Sequence, residues 1–274
     1  MVPASTVFFC VLTLFVSLIL PLLALVIFAA KHRKQGIVSA WLLGAAGFFV
    51  TQILIRLPIL TALQGRDWFL KFAQDHVFGY AFSLAFTAGL FELAGRLATA
   101  KLMRRRLTCR RSLAAGLGHG GIEAMLLIGM TYVNNLIYIV MINTGSFDAM
   151  VAQTAAMGVD VAQLELIRTQ FLTTSPLLFA LAGLERLLAM TGHAAMSMVV
   201  CYGVAHRKVL PCVLICLGIH TLMDLTAGIS LVLPQNVAYL IIYTILIAMA
   251  AISIALILDI CRRWKKEVSH DAEQ

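Results

Sequence analysis

Three of the seven histidines stand inside long apolar stretches, where an imidazole is costly: His119, His193 and His220. "GLGHGGIEAM" (116–125) sets His119 and Glu123 four residues apart, and "HTLMD" (220–224) does the same for His220 and Asp224. On a helix, that spacing puts both members of a pair on one face. "LERLLAMTGHAAMS" (184–197) carries Glu185, Arg186 and His193, and "FELAGR" (91–96) carries Glu92 and Arg96 one turn apart. Imidazoles with a carboxylate are the usual donor set for zinc, leaving one position for water. A bound metal would make hydroxide available at neutral pH. A glutamate acting as general base on a water polarised by histidine needs no metal. Either chemistry hydrolyses a peptide bond, and the residues alone leave both open.

These residues also share a level. At about 1.5 Å rise per residue, Glu123 lies on the order of 15 Å from the basic end of its helix, and His193 and His220 roughly 17 to 18 Å from theirs. His119 stands one turn shallower than Glu123, and Asp224 one turn deeper than His220. Glu92 falls between His119 and Glu123, whereas Glu185 lies further toward the other side. The glycines around His119 (Gly116, Gly118, Gly120, Gly121) permit close helix approach.

The elements that must position them are membrane helices. The 274 residues are 61% hydrophobic and 12% charged, with a mean hydropathy of +0.93, whereas a soluble domain carries about a quarter charged residues. A span needs roughly 20 apolar residues, and seven stretches qualify, near 5–30, 36–63, 77–100, 113–143, 176–205, 209–232 and 235–260. The expected fold is an all-α polytopic bundle. It forms a single integral membrane domain over 1–274, with the motif-bearing helices at about 77–232.

The net charge of +8 is no nucleic-acid footprint, because 15 of the 21 Lys and Arg residues sit in alternate loops. They follow the first, third, fifth and seventh spans as Lys31–Lys34, "KLMRRRLTCRR" (101–111), Arg207–Lys208 and "CRRWKK" (261–266). By the positive-inside rule the N-terminus is outside and the tail 261–274 cytoplasmic, so the chain crosses an odd number of times. The basic loops also suit anionic lipid. The connection 144–175 is expected on the exterior, where Val159, Val161, Leu164, Leu166, Ile167 and Phe171 recur at roughly helical spacing; an amphipathic helix on the membrane surface or a lid fits equally. Trp68, Phe69 and Phe72 are expected at the interface. Arg56, beside Pro58, is expected to snorkel. With no cysteine in an exterior loop, no disulfide framework is expected.

Taken together, "GLGHGGIEAM", "LERLLAMTGHAAMS" and "HTLMD", with "FELAGR" on span 3, resemble the YhfC family of bacterial membrane peptidases. That family is grouped with the CAAX-processing and bacteriocin-processing intramembrane proteases, and the resemblance covers nearly the whole chain. The superfamily's third motif, His followed four residues later by Asn or Asp, is met by His220 and Asp224. Its second, Phe-x-x-x-His, is met at His193 with Ala189 in place of Phe. Its first, Glu-Glu-x-x-x-Arg, is not met around Glu123, where Ala124 and Ile128, or Ile122 and Leu127, stand instead. A single glutamate with His119 one turn before it replaces the double glutamate, which favours a metal.

The resulting expectation is an intramembrane peptidase of a bacterial plasma membrane, acting on membrane-embedded or membrane-proximal polypeptides and opening toward the cytoplasm. Glu123, His193 and His220 are the catalytic candidates. His119, Glu123, His193 and His220 are the metal candidates, with Zn2+ as the metal such donors hold. Asp224, Glu92, Arg96, Glu185 and Arg186 are supporting residues. Membrane lipids are the expected surroundings. An ion-coupled or metal transporter, or a catalytically silent protein that binds membrane partners, is the alternative.

Overall fold

A computed structural model describes the backbone of residues 1–272 and the side chains through Glu267, so the end of the expected tail lies outside the described residues. Apolar runs with no strand periodicity fold into helices throughout, and there is no strand among the described residues. The order is α1 (Ala4–Lys31), α2 (Ile37–Gln64), α3 (Asp67–Asp75), α4 (Val77–Leu102), α5 (Cys109–Thr144), α6 (Ser146–Ala156), α7 (Ala162–Thr173), α8 (Pro176–Ala205), α9 (Val209–Leu231) and α10 (Gln235–Ala272). Seven of these, all but α3, α6 and α7, are long and apolar enough to cross a membrane. In hydrocarbon the backbone must satisfy its own hydrogen bonds, which is why the spans are helical without interruption by loops. This is a multi-pass membrane protein. Apolar side chains such as Val26, Phe78, Leu210 and Leu240 remain largely exposed, as lipid-facing residues do.

Two compact units divide the chain. The first comprises Met1–Pro21 and Ala124–Leu187. Its core holds Cys10, Tyr132, Ile139, Phe171 and Phe179. The Phe179 carbonyl accepts from Thr13 Oγ1 at 2.7 Å and from Tyr132 Oη at 2.9 Å, so two helices are pinned to one backbone oxygen. The segment 144–175 contains two helices, α6 and α7, the second covering the stretch whose apolar spacing is helical. Gly158, at φ +73°, supplies a left-handed turn between them that a side chain would resist. An ion pair between Arg168 and Asp148 joins the two helices.

The second unit comprises Leu22–Glu123 and Leu188–Gln274. Its core runs through Ala40, Leu93, Ala114, Met196, Val200 and Cys216, small residues alternating with larger ones as close helix packing requires. Here α2 packs along α5 because glycine allows it. A Cβ on Gly118 would stand 2.0 Å from the Trp41 carbonyl oxygen, and one on Gly120 would stand 2.8 Å from His193 Cβ. The first contact locks α5 to α2, and the second draws α8 to α5 at the level of the histidines.

Three expectations are corrected. Phe69 is buried, against Tyr80, instead of lying at an interface. Arg56 does not snorkel: it is buried and donates to the Leu84 carbonyl at 2.7 Å and to Gln52 Oε1 at 3.3 Å. Cys109 and Cys261 are joined by a disulfide, their Cα atoms 5.5 Å apart, because the start of α5 meets the end of the apolar part of α10.

Candidate functional site

The site belongs to the second unit and is built from five helices. From α4 come Glu92 and Arg96, from α5 His119 and Glu123, from α8 His193, from α9 His220 and Asp224, and from α2 Gln52 and Arg56. Two local irregularities coincide with it. Gln52 and Arg56 lie on a stretch of π-helical turns, Phe49–Arg56, and Glu123 directly precedes another, Ala124–Gly129. Such turns rotate side chains off the regular helical face and recur at functional positions.

Glu92 is the hub. Its carboxylate accepts from Gln52 Nε2 at 2.6 Å, from Arg96 Nη2 at 3.1 Å and stands 3.0 Å from His119 Nε2. The Nδ1 atoms of His193 and His220 each lie 3.6 Å from the same Glu92 oxygen, Oε2. On their other edges the two rings face a second carboxylate each. His193 Nε2 is 2.9 Å from Glu123 Oε2, and His220 Nε2 is 3.2 Å from Asp224 Oδ2. Each of these histidines thus bridges from the central glutamate to an outer acid.

Burial grades the three acids. Glu92 and all three histidines are 1–3% exposed, whereas the Asp224 side chain is 34% and the Glu123 side chain 11% exposed. Glu92 is therefore sealed inside, Glu123 is largely buried at the edge of the cluster, and Asp224 is the open acid. A buried carboxylate is tolerated only when paired and hydrogen-bonded, and Arg96, Gln52 and His119 supply that. Arg56 extends the chain outward through Gln52, adding a second cation behind Glu92.

The donor set fits a metal ion. Glu92, His119 and His193 each offer one ligand atom, and these atoms lie within 4.8 Å of one another. His119 Nδ1 and His220 Nδ1 are buried without a hydrogen-bond partner among the described residues. Buried imidazole nitrogens are ordinarily paired, so this group carries unused ligating capacity. Two imidazoles and a carboxylate are a familiar zinc set.

The structure brings His119, Glu123, His193, His220, Asp224, Glu92 and Arg96 together. It gives Glu92 the centre, a position beyond the supporting part read from the sequence. Glu185 and Arg186 pair with each other within the first unit. Gln52 and Arg56 were missed as members of the site. Their signal was a glutamine and an arginine four residues apart within one span.

Comparison with known proteins agrees with the sequence resemblance. The family model for the YhfC intramembrane metalloprotease matches residues 16–252, most of the chain and every residue of the site. The chain belongs to this family. A relative, the uncharacterized membrane protein YhfC of Bacillus subtilis (strain 168), is 30% identical over 210 residues, covering 76% of this chain and 79% of its own. No solved structure matches.

Proposed function

We propose that this protein is an intramembrane peptidase of a bacterial plasma membrane that cleaves membrane-embedded or membrane-proximal polypeptides with a His/Glu-activated water. The observation that carries the reading is the convergence of three buried histidines from three helices on Glu92, with Glu123 and Asp224 as outer acids against two of the rings. The orientation that suits the basic loops places the N-terminus outside and the C-terminus in the cytoplasm.

Glu92, His119 and His193 would hold a metal, with His220 adjacent; Zn2+ fits their chemistry. Such an ion supplies Lewis acidity, making water a better nucleophile at neutral pH. The protein's own groups do the rest. Glu123 is the outer carboxylate within reach of a water and accepts its proton as the oxygen adds to the scissile carbonyl carbon. That proton then passes to the departing amine as the C–N bond breaks, which returns Glu123 to its carboxylate form. His220 borders the same space, and its ring N–H is a donor for the developing oxyanion. Asp224 fixes the orientation of His220, and Arg96 that of His193.

The test is elemental mass spectrometry of the purified, chelator-free protein beside cleavage of membrane-embedded reporter polypeptides in proteoliposomes. Near-stoichiometric transition metal, with cleavage lost in Glu123→Gln, is expected. Metal-free protein that still cleaves would remove the metal from the reading, and the absence of cleavage across a broad reporter set would remove the peptidase.

A further inference from the structure

A second cavity in the second unit has nothing to do with the histidines. It opens where the loop before α2 meets the start of α5 and the end of α10, and has a volume of about 1250 Å³. Lys34, Arg106, Arg110, Arg111 and Lys265 line it, and no carboxylate does among the described residues. Five like charges around one hollow repel one another and call for an anion. Phe28, Leu107 and Trp264 add apolar surface to the same lining.

The backbone adds to the field. α2 begins at Ile37 and α5 at Cys109; Gly36, Ser39, Thr108 and Cys109 all line the cavity, and neither helix has an acidic residue in its first turn. Two helix N-termini therefore present their partial positive charge to the same space. Gly36, at φ +66°, is required there twice over. Its backbone is left-handed, and a Cβ would stand 2.0 Å from Arg111 Nη1. The glycine makes room for that guanidinium, whose Nε is buried without a hydrogen-bond partner among the described residues.

We propose that this cavity binds the phosphate of an anionic phospholipid headgroup, with Arg110 and Arg111 on the phosphate and the Phe28 and Trp264 surface against the lipid's glycerol and upper acyl chain. Phosphate matches the guanidinium fork and the helix N-termini, and an amphiphile matches a hollow whose lining is both cationic and apolar. A soluble phosphate would leave the apolar surface unused.

The experiment is native mass spectrometry of the full chain released from detergent, with phosphatidylglycerol and phosphatidylcholine as competing probes. Wild type is expected to retain phosphatidylglycerol as a one-to-one adduct in preference to phosphatidylcholine. Arg110→Gln/Arg111→Gln, and separately the exposed pair Lys34→Gln/Lys265→Gln, should each lower that preference roughly tenfold. The charge-matched control Arg33→Gln/Arg262→Gln, outside the cavity, should leave it unchanged. Equal loss in the control would reduce the effect to bulk charge and overturn the site. Inorganic phosphate that displaces the lipid at comparable concentration would overturn the lipid assignment in favour of a soluble anion.

Discussion

Arg96 Nη2 stands 2.6 Å from His193 Nδ1. A guanidinium can only donate, so without a bound ion His193 Nδ1 accepts and the ring proton sits on Nε2, the edge that faces Glu123. One arginine thereby sets which face of the histidine is acidic. It also leans on Glu92 and so couples the central and outer carboxylates.

The first prediction follows directly. Arg96→Gln should lower reporter cleavage roughly 10- to 100-fold, the usual cost of removing a group that orients a working histidine. In metal-stripped protein, nitrogen-15 shifts of His193 should show a single Nε2–H tautomer in wild type and a mixture in the variant. An unchanged tautomer would detach Arg96 from His193.

Glu92 and Glu123 should separate under the same substitution. Glu92→Gln is expected to abolish metal retention, because Glu92 provides the carboxylate within the 4.8 Å donor group. Glu123→Gln is expected to retain metal and lose cleavage. Elemental analysis of both variants, with size-exclusion profiles to show that each remains folded, checks the division; metal lost only in Glu123→Gln would reverse the two roles.

Chelation offers a complementary check. Stripping the ion should lower the thermal unfolding temperature in detergent, and restoring it should raise the temperature again, since a ligand that binds only the folded state stabilises it. His119→Ala should unfold at one temperature whether or not chelator is present.

Close approach on α5 predicts graded costs. At Gly118 a methyl group would meet the Trp41 backbone carbonyl, which cannot yield locally. Gly118→Ala should cost at least about 3 kcal/mol, the upper end for overpacking. Gly120→Ala meets a side-chain carbon and should cost about 1–2 kcal/mol, with a larger effect on cleavage than on stability because His193 moves. Unfolding in denaturant and cleavage rates measure the two separately.

Gln52 links Arg56 to Glu92. Gln52→Leu should destabilise by about 1.5–3 kcal/mol, the worth of hydrogen bonds to buried charges. Glu185→Gln, by contrast, breaks a pair with its neighbour Arg186 and should leave metal content unchanged. A Gln52→Leu protein as stable as wild type would show that the arginine and glutamate manage without the bridge.

Sequence by itself determined the seven spans, because hydrocarbon demands long apolar helices and leaves a plain compositional record. It also determined which polar residues share a helix face: His220 with Asp224, His119 with Glu123 and Glu92 with Arg96, since a separation of four is fixed by the helix alone. Depth counting even placed His119, Glu123, His193 and His220 near one level. What faces what across helices was decided only by tertiary packing. Glu185 is as polar as Glu92 and also sits beside an arginine, yet one pairs with its neighbour and the other gathers three histidines. The difference lies in helix rotation and in the glycine-lined approach of α5 to α2 and α8, which no single-helix periodicity encodes. Arg56 teaches the same point, for its fate depended on whether Gln52, Leu84 and Thr87 stood within reach.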